Sequence, residues 1–228
     1  MNNIIIIWNW TFSKHERKKF DSEVDKFLFN VRTTAHCRYN ASVRLQKLGK
    51  FSFITLTVLS LGLVFIPLMQ NANIKLALTD NVINMMQVFL AVAVLVYSII
   101  ISTSRYDLRA ETLRECGDKL KELIRELSKE KEYTEKISKE ILSNYQKRYT
   151  DITTDTENHE VIDYTLASLD MNNDFFISGF PRFILHFKIQ FNNFLSKIIP
   201  ILLIIFEIIF ITDIFGVTTI FTNYLVTK

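Results

Sequence analysis

The sequence predicts an all-α membrane protein in which a transmembrane helical hairpin continues into a cytoplasmic helical bundle. Two uncharged blocks, 51–69 and 85–104, carry this prediction. A helix of about 20 apolar residues rises about 30 Å, which matches the thickness of a hydrocarbon core. The stretch between the blocks is polar and short, so we assign 51–104 to one hairpin. With 5 Gly and 3 Pro in 228 residues, a turn-rich β architecture is disfavoured.

Basic side chains gather at the two outer ends of the hairpin, whereas the loop between the spans carries no net charge. Lys and Arg collect on the cytoplasmic side of a membrane. We therefore expect both outer ends, and with them the N-terminus, to face the cytoplasm. Phosphate binding is the alternative role, but the charges stop where the apolar blocks begin. The flanking residues are Arg38, Arg44, Lys47, Lys50, Arg105 and Arg109.

The chain before the hairpin divides into an apolar segment, 1–12, and an N-terminal cytoplasmic helix, 13–50. Segment 1–12 holds two tryptophans, which suit either the membrane interface or packing on the helical body. Ser13 is a suitable N-cap for the helix, and Glu16 completes a capping-box pattern. One face of this helix is apolar and needs a partner. That face consists of Phe20, Val24, Phe27 and Val31.

The charged region 105–197 is expected to be helical and to cover that face. Five residues in its first part alternate in steps of three and four, the spacing of a helix-pairing seam. They can pair within the chain or be exchanged between copies. We expect a break near 131–134 and a polar loop over 150–158, after which helical spacing resumes. The seam is formed by Leu113, Cys116, Leu120, Leu123 and Leu127.

A third apolar run occupies 198–215 within the final segment, 198–228. Its fourteen Ile, Leu and Phe residues each favour insertion by about 0.3–0.6 kcal/mol, which outweighs one central carboxylate at about 3 kcal/mol. We expect a third span, with an interfacial helix as the alternative. Glu207 and Asp213 are candidate pore-lining residues. The alternative for Glu207 is a protonated, hydrogen-bonded side chain between helices.

Chemistry-bearing patterns are sparse elsewhere. Glu157, His159, Glu160 and Asp163 match no metal-ligand spacing, so helix capping or contact with the basic flank is favoured. We find no phosphate loop and no catalytic triad pattern, and we expect neither enzymatic activity nor a cofactor. Acidic residues nearly balance the lysines after the hairpin, so direct nucleic-acid binding is not expected. Both cysteines fall on the cytoplasmic side, where free thiols prevail.

Three stretches carry a resemblance to a known family: RYNASVRLQKLGKF at 38–51, RAETLRECGDKLKEL at 109–123 and YQKRYTDITTDTENHEVIDY at 145–164. In this order, around two spans, they resemble the SLATT family of two-transmembrane effector domains from bacterial conflict systems. The polar residues Asn158, His159, Asp163 and Tyr164 are similar to the branch of that family associated with reverse transcriptases.

The resemblance implies a multi-pass effector of the bacterial inner membrane. Such an effector forms homo-oligomers and permeabilises the membrane when a partner senses phage, which causes growth arrest or cell death. The implied partners are membrane lipid and a reverse transcriptase or a nucleotide second-messenger system. Two alternatives stay open: a non-conducting scaffold for a partner enzyme, and a nucleotide-sensing anchor that uses Arg38, Arg44 and Arg109.

Overall fold

The protein is mainly helical in the part that the computed structural model describes, residues 16–17, 19–72, 74–134 and 137–222. Helices account for 81% of the structure, which confirms the predicted all-α class. The predicted segment 1–12 and the predicted cap at Ser13 lie outside the described residues. The elements are β1 (Glu16–Arg17), α1 (Glu23–Asn71), α2 (Asp80–Ser104), α3 (Tyr106–Tyr133), α4 (Lys139–Thr154), α5 (Val161–Asp170), β2 (Phe175–Phe176), α6 (Gly179–Leu195) and α7 (Ile198–Ile214).

Helix α1 begins at Glu23, so the predicted start of this helix at 13 is wrong. The hydroxyl of Ser22 accepts a hydrogen bond from the backbone N–H of Asp25 at 3.1 Å and donates one to its carboxylate at 2.8 Å. This is a complete local N-cap. Ahead of it, β1 pairs antiparallel with β2, with Glu16 opposite Phe176. Because β2 is distant in the sequence, no local pattern around β1 predicts this pairing.

The hairpin forms as predicted and its first helix is unbroken. Helix α1 continues through 51–69, and α2 contains all of 85–104. Both helices contain a stretch long and apolar enough to cross a membrane. The number of candidate spans in the described residues rises from two to three if α6 and α7 together form one broken span. Between α2 and α3, Arg105 adopts a left-handed backbone with φ 46°, which interrupts the helix directly after the second apolar block.

The chain divides into two compact units. The first, here called the polar unit, comprises Met1–Gln46 and Asp107–Phe194. The second, here called the membrane unit, comprises Lys47–Tyr106 and Leu195–Lys228.

The core of the polar unit is the predicted leucine seam. All five seam residues are at most 3% exposed. Four of them, Cys116, Leu120, Leu123 and Leu127, form one core cluster with Phe27, Val31 and Ala35 of α1 and with Leu142 of α4. This confirms that Val24, Phe27 and Val31 of the predicted apolar face are covered by the region after the second span. Phe20, the fourth predicted member, precedes α1 and packs against the second cluster. A second cluster lies around Phe29, whose ring is 5.3 Å from that of Phe175.

Helix α4 corrects the predicted loop at 150–158. Helix α3 continues to Tyr133 and α4 begins at Lys139, so the break lies just after the predicted position near 131–134. The Ser138 hydroxyl accepts a hydrogen bond from the backbone N–H of Ile141, and α4 runs on to Thr154. Tyr149 and Ile152 pack against the seam cluster, so tertiary contacts hold the helix through a polar sequence. Only 155–160 remains as a connection before α5.

In the membrane unit, α7 lies along the hairpin from one end to the other. The Lys197 ammonium lies 5.4 Å from the ring centroid of Phe51, where the first apolar block starts. At the far end, the backbone N–H of Ala77 in the hairpin loop donates to the carbonyl of Ile214 at 2.9 Å. Seventeen residues in a helix extend about 25 Å. Helix α7 therefore covers the depth of the first span, which favours a third span over an interfacial helix.

Replacing the buried Leu120 with Ala is expected to lower the free energy of unfolding by about 2–5 kcal/mol, because it removes packed methyl groups and leaves a cavity. Circular dichroism of the detergent-solubilised protein during urea unfolding measures this. The matched control is Leu108→Ala on the same helix, where the side chain is 55% exposed and the expected loss is under about 0.5 kcal/mol. Equal losses would contradict the seam packing.

Candidate functional site

Glu207 lies between helices at the middle of the membrane unit. Its side chain is 1% exposed and sits against Gly62, which is close to the centre of the first apolar block. A Cβ built at Gly62 would lie 1.7 Å from Glu207 Oε1 and 2.7 Å from its carboxyl carbon. The carboxyl group therefore occupies the space that a side chain at position 62 would need.

The carboxyl group of Glu207 is unsatisfied. Both of its oxygens are buried, and neither has a hydrogen-bond partner among the described residues. Burying a polar group without a partner costs several kcal/mol, and intramembrane carboxylates are retained mainly where they face a bundle interior or a water path. The structure thus places Glu207 between helices, as in the predicted alternative to a pore-lining role. That alternative also included a hydrogen bond to Glu207, which the described residues do not provide. The structure does not place Glu207 on an outer face of the helix packing.

Asp213 has a different environment, although it also was a candidate pore-lining residue. Its side chain is fully buried and accepts hydrogen bonds from the Thr218 hydroxyl and from the backbone N–H groups of Ile220, Phe221 and Thr222. These donors belong to the turn that follows α7. We therefore assign Asp213 to the fold and keep Glu207 as the pore-lining candidate.

In the polar unit, the motif residue Asp163 meets the basic flank. Arg44 Nε and Nη2 each donate to Asp163 at 3.0 Å, and Arg44 Nη1 lies 2.8 Å from Glu160 Oε1. Asp163 is 2% exposed, and these hydrogen bonds and the two carboxylates raise the pKa of Arg44 despite its burial. Glu160 and Asp163 also form a capping box at the start of α5. The capping and basic-flank interpretation is confirmed.

Glu157 holds the other two arginines of this cluster. Its carboxylate accepts from Arg109 Nε at 2.8 Å, and its carbonyl accepts from Arg38 Nη1. Beside it, the Asn158 side chain accepts from the backbone N–H of His159 at 3.0 Å. The structure therefore brings Asp163 and Glu157 together with three of the predicted flanking arginines in one polar cluster, beside Asn158 and His159. The fourth motif residue, Tyr164, instead packs against Phe175 in the second apolar cluster.

His159 borders a pocket of about 320 Å³ that is also lined by Thr33, Cys37 and Tyr164. Among the described residues, His159 Nδ1 and Thr33 Oγ1 are buried without a hydrogen-bond partner. Burial lowers the pKa of the His159 imidazole, and the nearby Arg38 guanidinium lowers it further. The ring is therefore neutral at pH 7.

The remaining flanking residues lie outside this cluster. Lys47 and Lys50 are exposed on α1, and Arg105 is exposed at the helix break. Sequence reasoning missed the contact between Gly62 and Glu207. It predicted contact of Asp163 with the basic flank but did not identify Arg44 as the partner. The contact between Gly62 and Glu207 could have been predicted from a glycine at the centre of one apolar block and a glutamate at the centre of another. Small residues allow close approach between membrane helices.

Replacing Arg44 with Ala leaves the buried carboxylate of Asp163 without its bidentate partner, and we expect a loss of about 3–5 kcal/mol in unfolding free energy. Urea unfolding monitored by circular dichroism measures the loss. The control is Arg148→Ala, which breaks a half-exposed ion pair with Glu126 and should cost at most about 1 kcal/mol. A cost for Arg44→Ala no larger than for the control would be evidence against a buried pair.

Cys37 is expected to resist alkylation at pH 8 in the folded protein. Burial raises the pKa of its thiol to about 12, and the Asp163 carboxylate contributes to the rise. Because the folded state holds this proton more tightly, the associated stability is present below pH 9 and is lost as the pH rises towards 12. Mass spectrometry after iodoacetamide treatment, with and without urea, tests this. Rapid modification without urea would contradict the burial.

Comparison with protein families matches residues 20–215 to the SMODS and SLOG-associating 2TM effector domain family 5. Searches of curated proteins and of solved structures return no match. The matched range takes in both hairpin helices, the polar cluster and α7. The chain therefore belongs to the SLATT family of two-transmembrane effector domains, which are linked to defence systems.

Proposed function

We propose that this protein is the membrane effector of a bacterial antiphage defence system. In this proposal several copies assemble in the inner membrane, with the N-terminus in the cytoplasm, and permeabilise it, which causes growth arrest or cell death. The trigger comes from a partner, either a reverse transcriptase or a nucleotide second-messenger system. Family membership supports the effector role, and the membrane unit supports permeabilisation.

The observation that carries the proposal is the unsatisfied carboxyl group of Glu207 at mid-depth. A residue that only packed helices together would be apolar, because an unpartnered carboxyl group lowers stability. Its acidic character becomes useful when water reaches it, since a ring of carboxylates favours cations in a pore. We therefore interpret the contact with Gly62 as the closed state of the effector.

Opening requires α7 to move away from α1. The interior of the described part of the membrane unit is filled by apolar side chains such as Ile66, Leu90 and Phe210. Separation of α7 from Gly62 would turn Glu207 towards a space shared by several copies. The outer faces of the unit are apolar and suit contact with lipid or with another copy; their most exposed residues include Phe53, Leu61, Val88, Leu95 and Ile199.

The nucleotide-sensing alternative has less support from the polar unit. Arg44 and Arg109 already contact carboxylates, and Arg38 donates to a backbone carbonyl. An anionic ligand at these arginines would have to displace Asp163 or Glu157. The geometry therefore favours a structural role for the three arginines.

Glu207→Gln is expected to abolish depolarisation, because the side chain keeps its size but cannot ionise when water reaches it. Conversely, Gly62→Leu forces the carboxyl group out of its site and should depolarise cells without a trigger. Inducible expression in bacteria with a membrane-potential dye, together with growth curves, measures both. The matched control is Ile208→Ala, an exposed neighbour on α7, which should behave as the parent protein does.

If Glu207→Gln caused as much depolarisation and growth arrest as the parent protein, Glu207 would not be a pore-lining residue. Absence of depolarisation by the parent protein after triggering, with co-purification of a partner enzyme, would instead support the non-conducting scaffold. Western blotting of membrane fractions controls for expression and insertion of each variant.

A further inference from the structure

Helix α6 has two apolar faces, and the described residues cover only one of them. Leu185 and Ile189 point into the core of the polar unit. The opposite side carries a row of exposed residues, here called the phenylalanine stripe, which spans an arc of about 100° at 3.6 residues per turn. Its members are Phe183, Ile184, Phe187, Phe191 and Phe194, which are 46–64% exposed.

The exposure of the stripe is comparable to that of the candidate spans. Val88 and Leu95 on α2 are 66% and 60% exposed, and those helices are apolar enough to cross a membrane. Within the stripe, the rings of Phe187 and Phe191 stack at 6.4 Å, so the surface is continuous. Large continuous apolar surfaces on soluble units mark a site of contact with a partner or a membrane.

The charges around the stripe favour an anionic bilayer as that partner. No Asp or Glu occurs between 175 and 206, whereas Lys188 and Lys197 fall within this range. On the helix, Lys188 borders one edge of the stripe and His186 borders the other, and both are exposed. A phenylalanine-rich face with basic residues beside it is typical of helices that lie in the membrane interface.

Chain connectivity places the last residue of α6 at the membrane boundary. Helix α6 ends at Leu195 and α7 begins at Ile198, so the connection reaches at most about 11 Å. The start of α7 lies beside Phe51, at the beginning of the first apolar block. Leu195, which ends α6 and already belongs to the membrane unit, thus lies near the depth at which lipid headgroups meet the hydrocarbon core.

We propose that α6 is an in-plane membrane-surface helix whose phenylalanine stripe inserts into the interface of an anionic bilayer. The stripe would sit at the level of the first acyl carbons, with Lys188 at the headgroup phosphates. The helix would then tie the polar unit to the membrane surface through its covered face. This inference requires membrane insertion but does not depend on permeabilisation.

The test is fluorescence quenching by brominated lipid in proteoliposomes of phosphatidylcholine and phosphatidylglycerol. The native tryptophans are first removed by Trp8→Phe and Trp10→Phe, and Phe187→Trp then supplies a single conservative probe. We expect this probe to lose most of its emission when the acyl chains carry bromine. Tyr133→Trp, at a position 86% exposed on the charged helix α3, is the matched control and should be unaffected.

A third variant, Leu95→Trp, reports insertion of the hairpin. Quenching of Leu95→Trp without quenching of Phe187→Trp would overturn the α6 proposal alone. A blue-shifted Phe187→Trp emission that bromine does not quench would assign the stripe to a second copy of the chain, which also overturns it. Absence of quenching in both variants would overturn membrane insertion as well, and with it the proposed function.

Discussion

A membrane-spanning backbone has to make all its hydrogen bonds within the segment, because the hydrocarbon core offers no water to complete them. This constraint explains why α1 runs without a break through the first apolar block and why α2 is regular as far as Ser104. The first interruption after the second block is Arg105, at its basic end. The irregular connections of the membrane unit likewise lie at its ends, in the hairpin loop and around Lys197.

Three buried acidic side chains differ in the hydrogen bonds that they receive. Asp163 receives a bidentate arginine, and Asp213 receives the donors of the turn after α7. Glu207 receives no hydrogen bond within the described part of the chain. Satisfied buried groups stabilise a structure, whereas an unsatisfied one lowers stability and persists where function requires it. This contrast distinguishes the functional candidate from two acids with structural roles.

The polar cluster also explains why two of the family-like stretches occur together. The stretch at 38–51 supplies Arg38 and Arg44, and the stretch at 145–164 supplies Glu157 and Asp163, which these arginines contact. The cluster therefore joins the segment before the first span to the connection between α4 and α5.

The sequence alone determined the helical class, the two spans and the helix seam, because each depends on local hydrophobicity and periodicity. The true start of α1, the extension of α4 to Thr154 and the pairing of β1 with β2 depended on distant contacts, which leave no local pattern. The same holds for the site. Hydropathy identified Glu207 as unusual, but only the packing of α7 against Gly62 placed its carboxyl group in an enclosed position with no hydrogen-bond partner among the described residues.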